Sequence, residues 1–245
     1  MTPKYYIVSG FVRDELLGIK SKDIDFAVEA ESYEAMKEDI LSNGNIIFQE
    51  RPEYFSIRAR HPEYGGVDYT LCRKDGFYSD NRRPDSVEMG TIFDDLARRD
   101  FTVNAIAKQS GGAYIDPHNG RADLQDKLLR CVGIAQERFE EDPLRLLRAV
   151  RFHIVKGFQL DYAIDRELRG HGGGTLDKLV TLPIERVYEE LYKCYVYDTW
   201  ATMRFFNNHS QLANVIHLEM GLGLLPRIYA PVAQSVEAVV SKAAQ

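Results

Sequence analysis

A change of hydrophobic period near residue 134 constrains this chain more than any other feature. Before it, short runs rich in β-branched and aromatic residues alternate face by face; after it, apolar residues recur at helical spacing. Residues 4–9 (KYYIVS), 45–49, 54–60 and 66–72 read as strands. Residues 11–17 and 33–41 read as helices, the first closed by Gly18 and the second capped by Ser32 and ended by Asn43-Gly44. Strands followed by helices specify an α+β fold. The expected organisation is a mixed sheet with helices over 1–132, an all-α region over 133–228 and a weakly amphipathic or frayed tail over 229–245.

Residues 9–28, SGFVRDELLGIKSKDIDFAV, run from a glycine-containing turn through a short helix into a strand carrying Asp23 and Asp25. Alternation would project both carboxylates the same way and turn Ile24 into the core. Two acids on one strand edge can hold Mg²⁺ ions about 3.5–4 Å apart, as in phosphoryl transfer, if a third carboxylate completes the set. By itself a D-x-D on an edge strand reads equally as two solvated acids. In GVDYTLC (residues 66–72), Val67, Tyr69 and Leu71 share one face while Asp68, Thr70 and Cys72 take the other, so Asp68 is a lone acid opposite the apolar set.

Gly10 with Arg13 and Asp14, then RRDFTVNAIA (98–107), IDPHNG (115–120) and EEDPLRLLRAVRF (140–152), occur in this order. Together they resemble the head and neck of class II tRNA nucleotidyltransferases, the CCA-adding enzymes and their bacterial poly(A) polymerase relatives, over residues 4–195. The resemblance implies a nucleotidyltransferase palm, an all-α neck, a short helical C-terminal region, and template-independent addition of CCA, or its terminal A, to a tRNA 3′ end from CTP and ATP. It implies metal binding by Asp23 and Asp25 and gives Asp68 the place of the third catalytic carboxylate. Gly10 and Arg13 fall in the triphosphate loop, and Arg98, Arg99, Asp100 and Asn104 at the nucleotide's ribose and triphosphate. In one departure, Ser9 stands where the family has a first glycine; its N–H and hydroxyl can still face a triphosphate. YSDNRRPDSV, inside the long loop expected over 73–90, resembles the flexible loop that lets the site pass from CTP to ATP. Residues 116–127 resemble the segment between head and neck and are expected to set hinge geometry.

The sequence ERFEEDPLRLLRAVRF spaces Glu141 and Arg145 by four and Asp142 and Arg145 by three, as on one helix. Cytosine and adenine share an amine donor beside a ring-nitrogen acceptor; uracil and guanine present the reverse. An Asp142 accepting from the amine and an Arg145 donating to the ring nitrogen would act as a protein template, whereas an ordinary intrahelical salt bridge of that spacing contributes about 0.2–0.5 kcal/mol. Arg145, Arg148, Arg151 and Lys156 form the clearest basic stripe, a candidate for triphosphate or primer-end contact. In residues 184–196, Ile184, Val187, Leu191, and Cys194 or Tyr195 are expected inward; Glu185 and Arg186 resemble the family's last motif, which implies that they support the neck helices.

The net charge of −6 excludes a uniformly basic RNA-gripping surface, so any such surface is a local patch. Residues 171–245 hold six basic against seven acidic side chains, where the family normally continues into a longer body. Cys72, Cys131 and Cys194 are odd in number and widely spaced, against a disulfide framework or zinc site, and no apolar run nears the about 20 residues of a membrane span. The expected setting is a reducing cytoplasm. Alternatives are poly(A) addition, which calls for a longer basic C-terminal region, and a catalytically weak nucleotide- or RNA-binding module.

Overall fold

The computed structural model describes residues 2–21, 23–76 and 86–219, which fall into two compact units, one formed by residues 1–79 and 83–133 and the other chiefly by residues 134–245.

The first unit is built on β1 (Lys4–Val8), α1 (Ser9–Leu16), β2 (Ile24–Glu29), α2 (Tyr33–Ser42), β3 (Ile46–Arg51), β4 (Ser56–His61) and β5 (Gly65–Leu71). There follow β6 (Arg73–Asp75), β7 (Val87–Met89), α3 (Ile92–Ala97), β8 (Ala107–Gln109), β9 (Tyr114–Ile115) and α4 (Gly120–Gln125). A seven-stranded sheet runs in the order β3-β4-β5-β2-β1-β8-β9, with β2 and β5 parallel at its centre and its other neighbours antiparallel. The strands carrying Asp25 and Asp68 are therefore interior, not edge strands. One face is apolar for a simple reason: Ile24, Phe26 and Val28 of β2 alternate with Ile57 and Ala59 of β4 and Val67, Tyr69 and Leu71 of β5, and α2 covers them with Tyr33, Met36 and Ile40. Ser32 caps α2 by accepting from the Ala35 N–H at 3.0 Å. On the opposite face Ala27, Tyr6 and Val8 pack beneath Ile92 and Leu96 of α3. There the sheet is covered at one end and open where Asp25 emerges.

One expectation, an unpaired long loop over residues 73–90, differs from the structure. The 73–90 loop is paired at its ends, since β6 and β7 form an antiparallel ribbon; Arg82, Arg83 and most of the switching loop lie outside the described residues. Residues 116–127 belong within the first unit: the Thr102 hydroxyl donates to buried Asp123 at 2.6 Å, and a side chain at Gly120 would collide with the Thr102 carbonyl oxygen. Cys72, just after β5, lies on the same face as Asp68, as expected, and is buried there because it packs with Val8, Ala27, Ile92 and Leu96 where α3 covers the sheet.

The second unit contains α5 (Ala135–Glu141), α6 (Leu144–Lys156), α7 (Tyr162–Leu168), α8 (Ile184–Tyr197), α9 (Thr199–Asn208) and α10 (Ser210–Asn214), followed by a π-helical turn at Val215–Glu219. Leu146, Leu147, Val150 and Phe152 of α6 and Val187, Leu191, Cys194 and Tyr195 of α8 are buried, and α6 packs on α8. Gly157, at φ +71°, closes α6 in the left-handed conformation that glycine adopts without strain. Ile184 is 43% exposed, because the first turn of α8 precedes the packed stretch. Cys72, Cys131 and Cys194 are free and buried. Among the described residues no helix is long and apolar enough to cross a membrane.

Candidate active site

The open face of the first unit holds a cleft of about 440 Å³ lined by Ser9, Asp25, Arg51, Arg58, Asp68, Arg98 and Arg99, among others. Asp25 and Asp68 are Cα partners on parallel neighbours β2 and β5, so the register places the two carboxylates side by side about 4.8 Å apart at the backbone. Burial, then the Asp68 charge, raises the Asp25 pKa; Arg99 opposes the shift, the Asp23 charge adds to it, and Arg58 opposes it. Asp23 is exposed and stands just ahead of β2, which begins at Ile24; it acts on Asp25 through its charge and not as a strand partner.

The arginines reach the cleft because a buried acid holds them. Asp95, on α3, is fully buried and receives Arg98 Nη2 at 2.5 Å on one oxygen and Arg99 Nη2 at 2.6 Å on the other. Burial would raise its pKa, but the Arg99 and Arg98 charges overcome that and hold it at about 2. Asp95 is not among the residues expected at the site; the signal for it in the sequence is spacing, with Arg98 and Arg99 three and four residues on. A capping box, in which Thr91 and Asp94 bond each other's backbone N–H groups, starts α3 and fixes the direction of that helix. Arg98 also meets Asp75 at 3.5 Å, and Arg99 donates to the Ser9 hydroxyl.

The expected glycine turn is different in form. Helix α1 begins at Ser9 itself, and Ser9 rather than Gly10 has a left-handed backbone, φ +63°. A non-glycine residue is strained there, and its hydroxyl gains the Arg99 bond in return. Gly10 lies in the first turn, where an added Cβ would only come into contact with the Arg13 guanidinium, 3.4 Å from Nη2. Arg13 donates to Asp14 at 2.9 Å and to the Asn104 side-chain oxygen at 2.7 Å, and the Asn104 amide donates to Asp100 at 2.9 Å. Tertiary structure thus joins the VRD and RRDFTVN motifs in one buried network.

In the second unit the chain breaks at Asp142, whose φ −144° and ψ 98° end α5 before Pro143 starts α6. Asp142 and Arg145 consequently do not share a helix. Arg145, buried, donates to Glu141 at 2.7 Å and to the Arg138 carbonyl at 3.0 Å. Asp142 accepts from the Leu144 N–H at 3.1 Å and lies 3.8 Å from Arg186; burial raises its pKa against the nearby Arg186, Arg145 and Arg148 charges. The basic stripe is also partly committed, since Arg151 pairs with buried Glu190 of α8 at 2.5 Å.

An open mixed sheet with two in-register carboxylates beneath a pair of anchored arginines defines the class, a palm of the nucleotidyltransferase type. Residues 5–130 match the Poly A polymerase head domain, and the chain belongs to that family. It is 36% identical over 195 residues to a CCA-adding enzyme of Latilactobacillus sakei subsp. sakei, an alignment covering 77% of this chain and 45% of that one. Among solved structures, the Bacillus stearothermophilus CCA-adding enzyme in complex with CTP superposes with a TM-score of 0.68 at 31% identity, over 80% of this chain and 45% of that one. A tRNA nucleotidyltransferase complexed with a primer tRNA and an incoming ATP analog gives a TM-score of 0.70 at 28% identity, over 89% and 59%. The chain spans about half the length of the relatives it matches.

Proposed function

We propose that this chain is an RNA nucleotidyltransferase that adds CCA, or its terminal A, to tRNA 3′ ends from CTP and ATP. The observation that carries the reading is the Asp25–Asp68 pair, set in register beside Arg98 and Arg99 in a head of this family. The all-oxygen donor set of Asp25, Asp68 and nearby Asp23 suits Mg²⁺. Among the described residues no three His, Cys, Asp or Glu groups gather to hold a metal by themselves, and Mg²⁺ commonly keeps water and substrate phosphate in its shell. When bound, Mg²⁺ would neutralise charge on the reacting phosphate and lower the pKa of the primer hydroxyl.

The protein's own part is placement. Arg98 and Arg99, with the N–H of Ser9 and Gly10, hold the triphosphate, and Asp100 and Asn104 serve the ribose. Asp68 faces the primer 3′-hydroxyl and takes its proton as that oxygen bonds the α-phosphorus, while the bond from the α-phosphorus to the bridging oxygen of the β-phosphate breaks and pyrophosphate leaves. Choice of base is assigned to Asp142 and Arg145, with Arg186 and Glu141 orienting them and Arg148 adding charge. The pairing of Arg151 with Glu190 supports a structural role for that residue.

Incubation with Mg²⁺, labelled CTP or ATP, and tRNAs lacking CCA, lacking only A, or complete tests the reading. Incorporation of C then A into the first, A into the second and neither into the third is the expected outcome; long runs of A on any RNA would favour poly(A) addition, and no incorporation a binding module. Arg145→Ala should narrow the preference for CTP and ATP over UTP and GTP by about tenfold, the effect of losing one base-edge hydrogen bond from a charged donor. Full selectivity in a mixed-nucleotide competition, by a variant whose melting curve shows it folded, would remove Arg145 from base reading.

A further inference from the structure

We infer that Arg51 and Arg58 form a binding site for the phosphodiester backbone of the RNA 3′ end, an inference that rests on the function just proposed. Gln49, Arg58, Asp68, Asp25 and Val8 are successive cross-strand partners over β3, β4, β5, β2 and β1. Two separate pairs of cations line the same cleft as the acid pair, Arg98 and Arg99 at the end of α3, which packs on β2 and β6, and Arg51 and Arg58 on β3 and β4. Phosphoryl transfer brings two polyanions to one acid pair, a nucleoside triphosphate and a nucleic-acid end, and two basic walls supply one for each.

The walls differ in how they are fastened. Arg98 and Arg99 are gripped by fully buried Asp95, a fixed cradle suited to a triphosphate that must sit in one place for reaction. Arg58 is held by Asp68 at 3.0 Å, with the two side chains 55% and 40% exposed. An ion pair so exposed contributes little and exchanges readily. Arg51 is held by Gln49, whose amide turned to accept takes Nη2 at 3.0 Å and Nε at 3.2 Å. Guanidiniums with exchangeable partners suit a strand that must advance one nucleotide per addition, and their planar forks match phosphodiester oxygens. Arg58 also leaves Asp68 when it turns to phosphate, which frees that carboxylate for the primer hydroxyl.

The test uses a labelled acceptor-arm hairpin RNA ending in CC, with binding followed by fluorescence anisotropy in EDTA over a salt series, and primer extension in Mg²⁺. Both arginines are exposed, so R51Q, R58Q and the double variant are expected to melt as the wild type does. The double variant should weaken RNA binding about tenfold and flatten the slope of log K against log salt by about 1.5, two phosphate contacts' worth. KM for CTP and ATP should stay within about twofold, and R58K should keep the wild-type slope, since it keeps the charge. An unchanged RNA affinity and slope would overturn the site, as would a loss confined to CTP and ATP binding, which would assign these arginines to the triphosphate. A wild-type chain that binds RNA through Arg51 and Arg58 yet incorporates nothing would keep the site and defeat the proposed reaction.

Discussion

Asp25→Asn should lower nucleotide incorporation by about 10³-fold or more, because several kcal/mol of charge stabilisation at the reacting phosphate depends on a carboxylate there. The same change should raise the melting temperature at neutral pH. Burial and the neighbouring Asp68 charge raise the folded-state pKa of Asp25, so the folded chain holds that proton more tightly than the unfolded chain does. The resulting stability is present below the unfolded value of about 3.9 and is lost as pH rises through the folded value, leaving the ionised site as a cost at pH 7. Asparagine removes the cost without changing shape. Thermal melts of both proteins in EDTA at pH 4 and pH 8, beside primer extension at pH 8, check this. Near wild-type turnover would remove Asp25 from the chemistry, and a lower melting temperature at pH 8 would mark it as a structural residue.

The opposite pattern is expected at Asp95, which no substrate need touch. Asp95→Ala should destabilise the first unit by about 3–5 kcal/mol, since it leaves two guanidiniums without their buried counter-ion. Its pH signature is also reversed. Although burial opposes ionisation, Arg99 and Arg98 hold the carboxyl at about 2, below its unfolded value. The stability it contributes is therefore full above about pH 4 and is lost as pH falls from about 4 to about 2. Urea melts between pH 2.5 and 7 should show that acid limb in the wild type and a flatter profile in the variant. Asp95 acts on substrate only by positioning Arg98 and Arg99, so Asp95→Glu, which keeps the charge, should restore part of the stability while KM for CTP and ATP remains raised. An Asp95→Ala protein with wild-type stability and an unchanged acid limb would refute the anchoring role.

Local sequence determined a good deal of this protein. The period change near residue 134 separated strand from helix, since alternation and helical spacing follow from backbone geometry alone. Val67, Tyr69 and Leu71 placed Asp68 on the open face for the same reason, and Ser32 marked the start of α2 through a bond made within three residues. What the sequence could not decide depends on contacts between distant residues. Which strand neighbours which is a long-range choice, so the interior position of β2 and β5, and the register that pairs Asp25 with Asp68, emerged only in the sheet. The left-handed backbone at Ser9 and the break at Asp142 are local conformations selected by their surroundings: one beside Arg99, the other where α5 gives way to Pro143. Partner choice among like charges is also tertiary. Spacing offered Arg145 two acids and the fold gave it Glu141; Arg151 looked available until α8 brought buried Glu190 against it, because burial makes an acid costly unless a cation meets it.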